Sequence, residues 1–267
     1  MTIEKFLFVG CGNMAGAMLD GWLAGGLPPS SFSVFDPGRD SFPDGVNALS
    51  EMPESGDFDA IMLGVKPHML KDVAPTVAPL VGPGTIILSI LAGVELAVLE
   101  KHFGNAAGVV RVMPNLSVAL GKSPVGLAEA GLDQARRDEL EAFLQPLGSP
   151  EWIDESRFDL FTALAGSGPA YVYRFIDALA KGAEELGFEK DQAVRTATAM
   201  VEGAAALASH SADNPGTLAD KVASPGGTTR AGLDVLDDGD AIVSLMQRTL
   251  RAARDRSAEM AKEARGE

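Results

Sequence analysis

A handful of short stretches hold the residues whose types and spacing could do chemistry. GCGNMAG sets Gly10, Gly12 and Ala15 in the pattern Gly-x-Gly-x-x-Gly/Ala, between an apolar run and a helical pattern. There the first glycine permits a tight turn, the second lets a pyrophosphate approach the backbone, and the alanine keeps helix and strand close. Cys11, Asn13 and Met14 lie inside the same turn, whose free N–H groups at the helix start would face the phosphates. Farther on, VFDPGRD places Asp36 where an acidic residue accepts from the adenosine ribose hydroxyls. Asp36 favours NADH by repelling a 2′-phosphate, whereas Arg39 could neutralise one. The cofactor is NADH or NADPH, with a slight lean to NADH. Gly64, Val65, Lys66 and Pro67, and then Ala92 and Gly93, end two later strands, where open α/β sheets bind ligands. Lys66 is a candidate acid, although a phosphate or structural contact is the commoner role of such a lysine. In the second half, SPGGTT (Ser224, Pro225, Gly226, Gly227, Thr228, Thr229) is a turn opening a helix. Its successive N–H groups make a nest for a carboxylate. A plain helix cap would need fewer glycines and hydroxyls.

The chemistry left out is as informative. The three histidines, His68, His102 and His210, form no triad-like or metal-like array, and no Cys-x-x-Cys or His-x-x-x-His spacing occurs. No metal is expected. A dinucleotide site without an obvious histidine base suits a hydride transfer that needs little proton chemistry. Reduction of a C=N bond fits, because an iminium ion arrives already protonated and activated.

These residues need particular elements to hold them. Apolar runs at Lys5–Val9, Phe32–Phe35, Ala60–Val65, Thr85–Ile90 and Gly108–Met113 alternate with helical patterns, among them Met69–Val81 and Val94–Phe103. Such alternation predicts a doubly wound parallel sheet with crossover helices, a Rossmann-like α/β domain. Val125–Ala128 and Pro150–Ile153 are candidate further strands around a helix at Gln134–Phe143. After about residue 153 the pattern is helical: Phe158–Leu186, Lys190–Ser209, Thr217–Ala223, Thr228–Leu236 and Ala241–Lys262. The expected division is therefore a dinucleotide-binding domain over 1–153 and an all-helical substrate-binding and dimerisation domain over 154–267. Ala193–Ala208 is small and apolar nearly all round, so that helix is expected to bury itself against a partner subunit.

Bulk composition narrows the partners. In 267 residues, 37 acidic against 22 basic side chains give a net charge of −15. Such a surface repels phosphate backbones, which argues against nucleic acid. A hydrophobic content of 46% excludes dominant disorder. No apolar run is long enough for a membrane span, MTIEKFLFVG has no signal-like n-region, and Cys11 is the single cysteine. A cytoplasmic location is the expectation.

Several blocks occur together and in order: GCGNMAGAML, VKPHML, SILAGV, RVMPNLSVAL, LAGSGPAYVYRFIDALAKGAEELGF and LADKVASPGGTTRAGLDVLDDG. On these the chain resembles the pyrroline-5-carboxylate reductase family over nearly its whole length. The resemblance implies reduction of 1-pyrroline-5-carboxylate to L-proline by NADH or NADPH, and a homodimer at least, with a decamer as a further assembly. It also implies that SPGGTT binds the substrate carboxylate, with the hydroxyl of Thr229 near the ring nitrogen as the catalytic contribution. Glu155, by counting back from GSGPAY, falls near the substrate, and Lys221 near the cofactor. Asp36-Pro37-Gly38-Arg39 departs from the Ser, Thr or basic residues common there in the family, and the family's adenine-side contact is not recognisable in EMPESGDFD. Three other readings stay open: a six-membered imine as substrate, a 3-hydroxyacid dehydrogenase with Lys181 as its lysine, and a dinucleotide sensor without turnover.

Overall fold

The computed structural model describes residues 3–265. Strands β1 (Phe6–Val9), β2 (Phe32–Phe35), β3 (Asn47–Ala48), β4 (Ala60–Leu63), β5 (Ile86–Ser89), β6 (Gly108–Met113), β7 (Ser123–Ala130) and β8 (Gly148–Trp152) form one sheet in the order 3-2-1-4-5-6-7-8. Helices α1 (Asn13–Ala24), α2 (Leu70–Val77), α3 (Leu96–His102) and α4 (Gln134–Leu144) belong to the same unit. Every residue of β1 is buried, because a central parallel strand is covered on both faces. Its side chains divide by the two-residue period. Phe6 and Phe8 join Trp22, Phe32 and their neighbours on one face, whereas Leu7 and Val9 join Ile61, Leu63, Val77 and Leu99 on the other. Trp22 packs tilted against Phe143, ring centres 4.9 Å apart, and donates its indole N–H to the Phe143 carbonyl, so its one polar atom is satisfied in the core.

β1 to β6 run parallel, as the alternating pattern requires, but β6 and β7 pair antiparallel. The reason lies in the connection. Between them the chain makes only a 3₁₀ turn, Leu116–Leu120, ended by Gly121 at φ +64, and a parallel return needs a far longer crossover. β8 then pairs parallel with β7, so the last two strands run against the rest. β3 is a two-residue edge strand too short to show in the hydrophobic pattern.

By contact, the chain up to Ser167 forms one compact unit with the segment from Ala252 onward, and Gly168–Arg251 forms the other. The sheet unit thus extends beyond the expected limit at 153. Phe158 is buried in the core of the second sheet face, and Ser257 donates to Asp159. The helical pattern over Phe158–Leu186, which GSGPAY interrupts in the sequence, forms α5 (Phe158–Phe161), a π-helical turn (Thr162–Gly166) and α6 (Gly168–Glu185), with Pro169 in the first turn of α6, where its missing N–H costs nothing.

The second unit contains α6, α7 (Lys190–His210), α8 (Pro215–Val222), α9 (Thr228–Asp237) and the first part of α10 (Ala241–Arg265). Gly187 ends α6 at φ +113, and the N–H of Phe188 donates back to the Ala183 carbonyl, a Schellman closure that turns the chain into α7. Ala180, Ala193 and Ala197 are its buried residues, where α6 and α7 meet.

Candidate functional site

Two helices of the structure begin on glycine without a side-chain cap: α1 after Gly12 and α9 after Gly227. The contrast with α4 and α8 is direct. There Asp133 accepts from the N–H of Arg136 and Asn214 from that of Thr217. The first N–H groups of α1 and α9 have no such acceptor, and neither helix has an acidic residue in its first turn. Each end therefore offers oriented donors and the positive pole of a helix dipole to an anion.

At α1 the geometry of the glycine turn is specific. Gly10 holds φ +86, and a Cβ there would lie 2.8 Å from the Val65 backbone nitrogen. A Cβ on Gly64 would lie 2.4 Å from the Gly10 carbonyl oxygen. These two glycines let the ends of β1 and β4 pass against each other. Gly12 differs: a Cβ there would meet nothing within 4 Å, so its outer side is open. The residues present thus fit a pyrophosphate approaching Gly12. A cleft of about 420 Å³ opens beside it, lined by Cys11, Gly12, Asn13, Gly16, Ala17, Asp20, Asp36, Gly38 and Arg39. Asp36 Oδ2 accepts from the Cys11 N–H at 2.6 Å and Oδ1 from the Gly38 N–H at 2.8 Å. Arg39 Nη1 donates to the Cys11 carbonyl and contacts Cys11 Sγ, both at 3.2 Å. Burial pushes the Cys11 thiol up, and Arg39 offsets this only in part.

The sequence brings Asp36 and Arg39 to this turn and misses Gly16, Ala17 and Asp20. With Asn13 these lie at helical spacing on one face of α1, a signal that the glycine pattern alone obscures. Met14 and Ala15 sit in the first turn of α1, with Ala15 buried toward the sheet.

The remaining expected residues of the sheet unit have other surroundings. Val65 packs partly buried on the second face of the sheet, and Lys66 precedes a 3₁₀ turn that begins at Pro67. Pro67 and Ala92 line a second cleft of about 400 Å³ with His68, His102 and Met260. Gly93, expected to be small for a cofactor, has φ +75, and a Cβ there would lie 2.9 Å from the Met260 carbonyl oxygen. Its bareness is accounted for by the last turns of α10. Glu155 is likewise engaged: its Oε1 accepts from Arg111 Nη1 at 3.0 Å and from the Leu96 N–H at 2.7 Å, at the start of α3. Arg111 itself is buried, with its guanidinium 4.0 Å from the Phe158 ring centre. This ion pair explains Glu155 without a substrate, and nothing in the motif pattern announces it.

In the helical unit, Gly226 takes φ +71 and the Gly227 N–H donates to the Ser224 carbonyl, which turns Thr228 and Thr229 into the first turn of α9. A Cβ on Gly227 would lie 2.5 Å from Ser224 Oγ and 3.1 Å from the Ser224 carbonyl oxygen, so any larger residue there would push the serine hydroxyl aside. Lys221 is ion-paired with Asp213. Lys181 donates to Asp177 at 2.9 Å on an exposed face, and this hydrogen bond holds the Asp177 carboxyl below the usual carboxylate range. A surface-paired lysine is a poor acid–base catalyst, which weakens the hydroxyacid reading. Among the described residues no cluster of His, Cys, Asp or Glu could hold a metal ion.

A Rossmann-like sheet with an open glycine turn, joined to a helical unit with a second glycine-headed helix, defines a two-unit protein of the dinucleotide-binding class. The comparisons narrow the class. Residues 155–260 match a family model described as pyrroline-5-carboxylate reductase dimerisation. The chain is 33% identical to the pyrroline-5-carboxylate reductase of Pseudomonas aeruginosa, across 98% of this chain and 99% of that one. It is 36% identical to that of Glycine max, across 92% and 93%. Among solved structures, a pyrroline-5-carboxylate reductase from Coxiella burnetii superposes with TM-score 0.88 at 29% identity, covering 98% of this chain and all of that one. The pyrroline carboxylate reductase of Plasmodium falciparum, solved with NADP bound, shares the fold at TM-score 0.81 and 23% identity, covering 98% of this chain and 99% of that one. The chain belongs to the pyrroline-5-carboxylate reductase family.

Proposed function

We propose that this protein reduces 1-pyrroline-5-carboxylate to L-proline with NADH or NADPH, and acts as a homo-oligomer. Whole-length likeness to reductases named for this reaction carries the proposal. Reduced nicotinamide, when bound, supplies the hydride that the C=N carbon accepts. The chain's own residues bind and orient. Gly10, Gly12 and the first turn of α1 hold the pyrophosphate, and Asp36 faces the adenosine ribose. Thr228 and Thr229 at the head of α9 present N–H groups to the substrate carboxylate. The Thr229 hydroxyl orients the ring nitrogen and helps settle the proton on the product amine.

Dimers form through the helical unit, whose apolar side chains are largely uncovered within one chain, and decamers of such dimers are the larger assembly to look for. The single buried, unpaired Cys11 suits a cytoplasmic setting. No helix among the described residues is long and apolar enough to cross a membrane.

The test is oxidation of each reduced dinucleotide in the presence of the five-membered imine, beside its six-membered homologue and a 3-hydroxyacid in reverse. Turnover confined to imines, fastest with the five-membered one, is the expected result. Thr229→Ala should lower turnover about a hundredfold while NADH affinity stays within twofold. Dinucleotide binding without turnover of any imine would favour the sensor reading instead.

A further inference from the structure

The charges around the ribose end of the cleft are unbalanced. Asp20, Asp36 and Arg39 line the cleft beside Gly12. Asp36, Asp40, Asp44 and Arg39 line the adjoining one of about 490 Å³. Four carboxylates and one guanidinium therefore line the two clefts beside the end of β2, where a ribose phosphate would approach Asp36. That phosphate would bring roughly two more negative charges into the same space.

Two of the three nitrogens of the cation there are already engaged. Arg39 Nε donates to the Ser41 carbonyl at 3.0 Å, and Nη1 is engaged by Cys11. The guanidinium lies 5.0 Å from the Phe42 ring centre on one side. On another it approaches Gly16 of α1 so closely that a Cβ there would lie 2.9 Å from Nη1. The Arg39 N–H also closes back on the Asp36 carbonyl at 3.3 Å. Asp36, Cys11 and Arg39 thus form a closed ring of hydrogen bonds. Within it each Asp36 oxygen accepts one backbone N–H and keeps a lone pair for a ribose hydroxyl. An arginine that recognises phosphate does so with a free fork; here Nε and Nη1 are spent on the protein's own turn, and Nη2 alone is left to face an incoming anion.

We propose that the site selects NADH over NADPH, with Asp36 as the selecting carboxylate and Arg39 as a positioning residue that braces the glycine turn rather than a receptor for a 2′-phosphate. The proposal rests on the dinucleotide reading given above and sharpens it. Gly16 belongs to the device, because a Cβ there would press on Nη1 and shift the guanidinium from its place on the turn.

The experiment is equilibrium titration of the full-length protein with NADH and with NADPH, by calorimetry and nicotinamide fluorescence, without substrate. Wild type should bind NADH at least tenfold more tightly. Asp36→Ser should move the ratio at least tenfold toward NADPH. Arg39→Ala, Arg39→Lys and Gly16→Ala should each weaken both dinucleotides together, leaving the ratio within threefold of wild type. Gly16→Ala should fold normally, since alanine favours a helix. Tighter binding of NADPH by the wild type would overturn the proposal. So would a selective loss of NADPH in Arg39→Ala that Arg39→Lys restores, since a phosphate receptor needs the charge and a brace needs the fork. Failure to bind either dinucleotide would remove the cleft's assignment and this proposal with it, a result distinct from reversed preference.

Discussion

In the sheet unit both faces of the strands are covered by the chain's own helices, and side chains as large as Trp22, Phe6, Phe8 and Phe158 are fully enclosed. In Gly168–Arg251 the buried residues are three alanines, while Tyr173, Leu186, Leu207, Val222 and Val235 are each at least 64% exposed within one chain. A fully buried large apolar side chain contributes about 1.5–3 kcal/mol, so the first unit holds the means of its own stability and the second does not. The difference teaches where the oligomer is needed. One unit encloses its own core; the other, which matches a dimerisation model, leaves its large apolar side chains uncovered within one chain.

The sharpest way to break this comparison is to injure each core and vary protein concentration. Phe8→Ala should cost about 3–5 kcal/mol, the same at every concentration, in the transition of the sheet unit followed by tryptophan fluorescence. Leu207→Ala should instead lower the midpoint of the helical unit by an amount that grows on dilution. If calorimetry shows a wild-type helical transition independent of concentration, the second unit is stable alone and the comparison fails. Next in size comes the ion pair of the sheet unit. Glu155→Ala leaves Arg111 buried with only the Phe158 ring, and should cost about 1–3 kcal/mol in denaturant titrations. Glu155→Gln, which can still accept from Leu96, should recover part of it. Smaller again, Ala197→Gly where α6 and α7 meet should lower the helical transition by about 0.5–1 kcal/mol, chiefly through backbone entropy. The least effect belongs to the exposed Asp177–Lys181 pair. The depressed Asp177 carboxyl stabilises the fold above its unfolded pKa, and that contribution is lost as pH falls through the folded value. Because the pair is solvated, acid-unfolding curves of wild type and Asp177→Asn should superimpose in high salt.

Much of the fold was legible because one strong signal wrote it. β2 and β6 fall at Phe32–Phe35 and Gly108–Met113, where the apolar runs place them, and α9 begins at Thr228, where two glycines end a turn. The reversal at β7 was not legible. Val125–Ala128 reads as a strand either way, and direction is set by how little chain lies between it and β6. The glycine turn and Asp36 could be found from spacing, since both are local to strand ends. Asp20 could have been found from the face of α1 that it shares with Gly16.

What the amino-acid sequence determined by itself, then, was local. It set which segments are strands or helices, that α1 and α9 follow glycine turns, and where a carboxylate follows β2. These depend on neighbours a few residues apart, so periodicity and turn chemistry suffice to read them. Only the tertiary structure decided that Gly93 yields to α10, that Glu155 is held by Arg111 and Leu96, and that Arg39 folds back on Cys11 between Gly16 and Phe42. Each of those contacts joins residues far apart along the chain, or fixes which of several directions a long side chain takes. A hydrogen-bonding group accepts whichever partner the packed fold brings within about 3 Å, and no spacing in the sequence specifies that partner.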